Sequence, residues 1–335
     1  LHAHACVYAR EDFGACGELG WMQLTRARAL GILGASPLAF TPLPGRSADA
    51  PPIRIGAEAS EPFMEPFYAA DQGIFTRNGV TATTEAFGNG SVVLNAVIGN
   101  ALDIGNTDLI PIANAVNHGF DLAIIASGGL HATESVTIAL CVTKNSSVRG
   151  PKDLEGQTIG LPQLKSAPQM EVIEWLRRGG ADPAKVSFFE MHFSEMVPAL
   201  QRGTIAAALN GEPFITDSKD VTRIIGVPAD TVSLHYYSGI WYGRRAYLDA
   251  NAASIKRLIA AFYDTARWAN AHRPQTAEIL SRYSKIDIDR VRTMSRVQFA
   301  TGLDPKLAQP LLDFAATYKL LERPTNAADL FWKGA

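Results

Sequence analysis

The sequence predicts an α/β fold of two βα lobes joined by two crossover strands. Three observations carry this expectation. Residues 65–108 read as helix, glycine stop, strand, glycine-rich turn, helix, glycine stop and strand, the rhythm of a parallel sheet. A second series of the same kind spans residues 158–209. Two longer β-type runs, 137–143 and 232–242, stand between and after the series, placed to cross from one to the other. Two lobes so joined enclose a cleft, a favoured place for a small-molecule site.

In chain order, residues 53–56 form a short strand and 57–65 a polar loop. Pro66 suits a first helical turn. Phe67, Ala70 and Ile74 share one helical face, and Gly79 is placed to end that helix in a left-handed cap. Residues 80–87 alternate and are rich in Thr and Val, which predicts a strand. Gly88, Asn89 and Gly90 form the turn, and Ser91 is the expected N-cap of the next helix. Gly99 stops that helix. A strand over 102–105, a helix over 109–119 and a strand at Leu122–Ser127 follow. After the run 137–143 comes a polar connection, 146–156. The second series is then strand Thr158–Leu161, helix 166–178 stopped by Gly179 and Gly180, strand 186–191, helix 195–202 stopped by Gly203, and strands 205–209 and 223–226. Residues 249–332 are nearly all helical in pattern. The first lobe is expected to take 52–140 plus 236–335, and the second 141–235. A short internal echo supports duplication: in both GNALDIGN (99–106) and GTIAAALN (203–210), a helix-ending Gly precedes a strand-end Asn by seven residues.

Bulk properties narrow the partners. The 335 residues suffice for two compact lobes, and the 47% hydrophobic and 19% charged content is ordinary for a globular chain. The net charge of −2 and the absence of like-charge blocks suit neither nucleic acid nor an anionic membrane. Residues 1–21 show no period and are expected to be a non-native extension upstream of the natural start. Residues 22–50 read as a signal peptide. Two positive charges precede an apolar run of about a dozen residues, too short to span a bilayer, and Ala48, Asp49 and Ala50 have the small-x-small form a signal peptidase reads. An apolar N-terminal helix of the fold is the alternative. Cys6 and Cys16 fall in the upstream piece, which leaves Cys141, in an apolar strand-like run that predicts a buried structural thiol rather than a nucleophile.

Four segments, AADQGIFTRNGV (69–80), GNGSVVLNAVIGNALDIGNTD (88–108), VRGPKDLEGQTIGLP (148–162) and MVPALQRGTIAAALNGEPF (196–214), resemble the periplasmic substrate-binding proteins of ABC importers in order and spacing. More narrowly they are similar to the nitrate/sulfonate/taurine and pyrimidine-precursor branch. Ala207 stands where that family usually carries a structural Asp. The resemblance implies a type II periplasmic-binding-protein fold, export to the periplasm, and capture of a small-molecule solute for delivery to permease and ATPase subunits. A monomer with no cofactor, metal or catalytic residue is expected.

In that architecture the loops at strand ends line the cleft. Four helix starts, near Ser91, Thr107, Ser166 and Ser194, would offer unpaired N–H groups. The candidate ligand-binding residues are Glu58, Ser60 and Glu61 in the first loop, Gly90 and Ser91, Asn106 and Thr107, His131, Gln163, Lys165 and Ser166, His192 and Ser194, Asn210 and Glu212, and Tyr237. Each has a plainer alternative: a solvated loop carboxylate for Glu58 and Glu61, a turn for Gly90, a simple cap for Ser91, a surface side chain for His131 and Lys165, core packing for Tyr237. No Arg occupies a predicted cleft loop, so a small organic solute with hydrogen-bond donors or an aromatic ring (sulfonate, aromatic or pyrimidine-like) is expected over bare nitrate. The alternative is an enzyme on the same fold. The resemblance offers a pyrimidine synthase with a Cys-rich segment and a sulfinate-cleaving enzyme with a first-loop Cys, and both features are absent here. No metal-ligand spacing and no GxSxG elbow occurs either.

Overall fold

The computed structural model describes residues 51–334. The expected signal peptide, the piece before it, Cys6 and Cys16 lie outside the described residues. The first series folds as Ile53–Glu58 (β1), Glu65–Asp71 (α1), Ile74–Arg77 (α2), Ala82–Phe87 (β2), Gly90–Ile98 (α3), Ile104–Thr107 (β3), Leu109–Asn117 (α4) and Leu122–Ser127 (β4). The single helix expected after Pro66 is two, because Gly73 adopts φ +65°, a left-handed conformation that interrupts the turn. Gly79, at φ +64°, follows α2 as its position predicted. Asn89 rather than Ser91 caps α3, since its Oδ1 accepts from Val92 N at 3.0 Å. Ser91 is therefore inside the helix.

Gly129–Ala132 (β5) carries the chain across to Ile138–Thr143 (β6), Thr158–Leu161 (β7), Ala167–Arg178 (α5), Ser187–Glu190 (β8), Phe193–Arg202 (α6), Ala207–Gly211 (β9), Phe214–Asp217 (α7) and Thr222–Gly226 (β10). The chain returns through His235–Tyr237 (β11) into Ile240–Arg244 (β12). It then closes with Arg245–Ala250 (α8), Ala252–Ala271 (α9), Arg273–Ser284 (α10), Ile288–Thr293 (α11), Gln298–Phe299 (β13), Pro305–Thr317 (α12) and Ala327–Leu330 (α13). The long run expected over 232–242 is thus two strands. Its first part pairs with β5 and its second with β3 and β4, and one straight strand cannot lie in both sheets. Likewise β6 belongs wholly to the second sheet, so the change of sheet falls before Ile138 rather than after Leu140.

The two five-stranded sheets share one order. The first is β2-β1-β3-β12-β4 and the second, read from its β8 edge, is β8-β7-β9-β6-β10. In each, three parallel strands are followed by an antiparallel strand that enters from the opposite half, β12 in one and β6 in the other. The internal echo falls on equivalent elements: Gly99 and Gly203 follow α3 and α6, and Asn106 and Asn210 lie in β3 and β9. A third sheet, β11-β5-β13, joins the halves.

Helices cover both faces of each sheet, so strands inside the sheets are buried along their whole length, β3 in the first and β9 in the second. On β12, Trp241 is fully buried, stacks on Phe262 with ring centroids 4.7 Å apart, and donates Nε1–H to Glu65 Oε2 at 2.5 Å. Burial holds the Glu65 carboxyl well above its usual range, with the Trp241 bond opposing. Replacing Trp241 with Ala removes this packing and leaves the Glu65 carboxyl without its donor. A loss of about 3–5 kcal/mol in urea-denaturation stability is expected, against a smaller loss of about 1–3 kcal/mol for Trp241→Phe, which leaves only the donor missing.

Candidate functional site

A cavity lies where the parallel strands of both sheets end, with about 80 Å³ of room for the centres of water-sized atoms. The first lobe supplies Glu58 at the end of β1 and Ser60 after it, Gly90 at the start of α3, and Thr107 at the end of β3 with Asp108 before α4. The second supplies Pro162 and Gln163 after β7, Ala167 and Glu171 on α5, Phe193 on α6, and Gly211 and Glu212 after β9. His131 on β5 and Tyr236 on β11 form the wall where the lobes are joined. Bonds span the cleft directly. Thr107 Oγ1 donates to Gln163 Oε1 at 3.0 Å, Ala167 N donates to Asp108 Oδ1 at 3.2 Å, and Asn89 Nδ2 donates to Glu190 Oε1 at 3.4 Å. Gly90 permits the first of these, because a Cβ there would come within 2.9 Å of both Thr107 Oγ1 and Gln163 Oε1.

The lining is acidic. Glu58, Asp108, Glu171 and Glu212 are all buried, and among the described residues no Lys or Arg lines the cavity. Burial pushes Glu58 up to about 8, opposed by a hydrogen bond from Ser60, and pushes Asp108 up to about 7, opposed by Ile110 and Ala167 N–H groups. Burial also raises Glu171 to about 7, against the hydrogen bond from Tyr236 Oη. Glu212 is raised by burial although it accepts from Thr216 N at 3.0 Å and Thr216 Oγ1 at 2.9 Å. His131 is lowered by burial, opposed by Asp230, whose Oδ1 lies 3.1 Å from Nε2; its ring sits 5.0 Å from that of Tyr236. Among the described residues no group of three or more His, Cys, Asp and Glu could hold a metal ion.

Of the sequence-predicted residues, the structure brings Glu58, Ser60, Gly90, Thr107, His131, Gln163 and Glu212 together on the cavity. Asn106 and Asn210 are fully buried just behind the wall, each with an unpartnered Nδ2. Asn106 Oδ1 accepts from Glu58 N at 3.2 Å, and Asn210 Oδ1 from Gly211 N at 3.1 Å. Ser166 is also buried behind it, its Oγ donating to Gln163 O at 2.6 Å. His192 and Ser194 lie in an adjoining hollow that shares Glu58 and Phe193 with the cavity.

Four expectations are corrected. Glu61 does not reach the cavity; its buried carboxylate is taken by Arg296 Nε and by Val297 N at 2.8 Å, because the first loop turns inward against the C-terminal segment. Ser91 and Lys165 line a separate outer groove, since the earlier start of α3 turns Ser91 away and Lys165 projects from a left-handed residue. Tyr237 faces the opposite side of β11 from Tyr236, and its Oη donates to Gly302 O at 3.1 Å and accepts from Asp304 N at 2.7 Å. The four helix starts themselves lie near the residues expected, with caps at Asn89, Asp108, Ser166 and His192.

Asp108 was legible from the N-cap preference for Asp at a strand-to-helix junction. Glu171 and Phe193 had no such signal, since only packing turns those helical positions to the cavity. Cys141 is buried in β6 with its thiol pushed up to about 12 by burial, which is the structural role its apolar run predicted.

Two lobes in this strand order, exchanging an antiparallel strand and holding a cavity between them, define the periplasmic-binding-protein fold. The chain belongs to the NMT1/THI5-like family, whose model matches residues 62–277. A Brucella abortus (strain 2308) protein, provisionally named as a binding protein, is 25% identical over 275 residues, covering 78% of this chain and 81% of its own. The alkanesulfonate-binding protein SsuA from Xanthomonas axonopodis pv. citri, bound to MOPS, superposes with a TM-score of 0.72 at 18% identity, covering 85% of this chain and 99% of that one. The periplasmic nitrate-binding protein NrtA from Synechocystis PCC 6803 superposes with a TM-score of 0.71 at 15% identity, covering 85% and 87%. No helix of the described residues is long and apolar enough to cross a membrane.

The raised carboxyls have a pH signature. Glu58 binds its proton more tightly in the folded protein than in the unfolded chain, whose value is near 4.5. Its contribution is therefore fully present below about pH 4.5 and is lost as pH rises toward 8, at about 1.4 kcal/mol per pH unit. Urea denaturation of the unliganded protein at pH 5, 6, 7 and 8 should show wild-type stability falling relative to Glu58→Gln across this window. A flat difference would contradict the assignment.

Proposed function

We propose that the chain is the solute-binding component of an ABC importer, exported to the periplasm and acting as a monomer. It captures a small organic solute between its lobes and delivers it to permease and ATPase subunits. One observation carries the reading: both lobes furnish the cavity wall, and the bonds Thr107–Gln163 and Ala167–Asp108 join them directly across it. A trap needs this arrangement, because closing about the short β5–β11 connection both makes the wall and excludes water. Family membership and the names of the structural neighbours support it. The lobe boundaries expected from sequence fit a hinge at β5 and β11 once the second lobe is taken to begin at β6.

The reading is of a binder and not an enzyme. Among the described residues no Cys lines the cavity, and Cys141 stands in a strand interior with its thiol pushed up by burial. Thermal-shift screening against a library of organic solutes is the test, since a solute at a hundred times its Kd adds about 2.7 kcal/mol of stability. Thr107→Val removes the hydroxyl that spans the cleft and is expected to weaken the solute so found by about 3–10-fold, or about 0.5–1.5 kcal/mol, in calorimetry. A melt that no solute shifts, together with turnover of some substrate, would replace the binding reading with the enzymatic one.

A further inference from the structure

We infer that the solute is an organic cation carrying N–H donors on its charged nitrogen, such as an ammonium or amidinium on an apolar or flat body, and that Glu58 is its counter-charge. The inference rests on the solute-trap reading and narrows it. It sets aside the sulfonate among the solute types that the family resemblance suggested.

At the helix starts around the cavity, side-chain oxygens already take part of the N–H capacity. At α3, Asn89 Oδ1 takes Val92 N. The Asp108 carboxylate takes two starts at once, Ile110 N in its own helix at 2.9 Å and Ala167 N of α5 in the opposite lobe at 3.2 Å. Before α6, Glu195 Oε2 takes His192 N at 3.1 Å. Free N–H groups at helix starts are the usual backbone means of holding an anion, and here a carboxylate or amide oxygen of the protein itself takes one of them at each of α3, α4 and α5. Arg296 and Arg273 do not compensate, because both are drawn to Glu61.

Three of the lining carboxyls are also committed. Asp108 caps two helices, Glu171 accepts from Tyr236 Oη, and Glu212 accepts from Thr216 and from Ser295 N at 3.4 Å. Glu58 differs. It is 6% exposed, it lines the cavity, and among the described residues its carboxyl accepts only from Ser60 Oγ at 3.2 Å. An ionised carboxylate has about four acceptor positions, so most of its capacity is unfilled. On the same wall Ser238 Oγ has no partner, and behind Glu58 the fully buried Asn106 Nδ2 has none. Phe63, Phe193 and Tyr236 give the remaining surface an aromatic character suited to an apolar or cationic body.

The ionisable groups facing Glu58 are Asp108, Glu171, Glu212 and His131 on the cavity wall and His192 in the adjoining hollow. Of the carboxyls, Glu58 is held only by the 3.2 Å bond from the Ser60 hydroxyl, and with its value near 8 an entering cation displaces its proton.

The test uses matched probes on the purified full chain: benzamidinium against benzamide and benzenesulfonate, and phenethylammonium against phenethyl alcohol and taurine. Melting shifts and calorimetry at pH 6, 7 and 8 are read for wild type and Glu58→Gln. The expected result is stabilisation by at least one cation and by neither partner of its pair. Cation affinity should rise up to about tenfold per pH unit below pH 8, with about one proton released per cation bound at pH 7. Glu58→Gln should lose at least about tenfold in cation affinity together with the pH dependence. Stabilisation by a neutral or sulfonate probe instead, or cation binding unchanged in Glu58→Gln, overturns the inference and leaves the solute-trap reading standing. No stabilisation by any of these probes overturns the inference, while the solute-trap reading stands or falls with the library screen.

Discussion

The insertion of β12 between β3 and β4, and of β6 between β9 and β10, binds each half of this fold to the other. Neither sheet is complete without a strand that has crossed. The core follows from this exchange, since Trp241 is on an inserted strand and Phe262 and Glu65 close around it. The cleft follows too. With only β5, β11 and the short β13 between the large sheets, the lobes meet along one edge, and the parallel strand ends of both are left facing the same space. His131 and Tyr236 reach the cavity because they sit opposite one another in the β5–β11 pair.

A second constraint is electrostatic. Asp108 joins the starts of α4 and α5 across the cleft, so the charge that caps a helix in one lobe also holds the other lobe in place. The cavity then carries four carboxyls with no Lys or Arg among its described lining residues, which is an unfavourable setting for a further anion. The fold is shared with proteins named for alkanesulfonate and nitrate. Shared topology sets where a solute sits, while the side chains at the strand ends set which solute it is.

Much of the architecture was readable because it rests on local physics. Gly79, Gly99 and Gly203 stop helices where their positions predicted, and Leu122–Ser127 and Thr158–Leu161 form strands at the residues expected. The errors lie where a segment answers to two neighbours. Residues 232–242 have strand chemistry throughout, yet two sheets compete for them and the strand divides before Ile240. β5 is four residues long and contains Gly129 and His131, too short and too polar to show a period; its pairing with β11 and β13 makes it a strand.

The same division holds at the site. Loop chemistry after each strand marked Glu58, Ser60, Thr107, Gln163 and Glu212, because strand ends in such sheets open on the cleft whatever the details of packing. Glu61, three residues beyond Glu58, has the same side chain and the same kind of loop, yet it is held by Arg296 from more than two hundred residues away. Tyr236 and Tyr237 differ only in the phase of one short strand. The sequence by itself thus determined the repeated βα series, the crossing of the chain and the loops that meet at the cavity, since periodicity, glycine and capping act over a few residues. Which carboxylates are paired and which is left open to a solute was decided only by tertiary structure, because a charge's partner is a matter of distance in space and not of position along the chain.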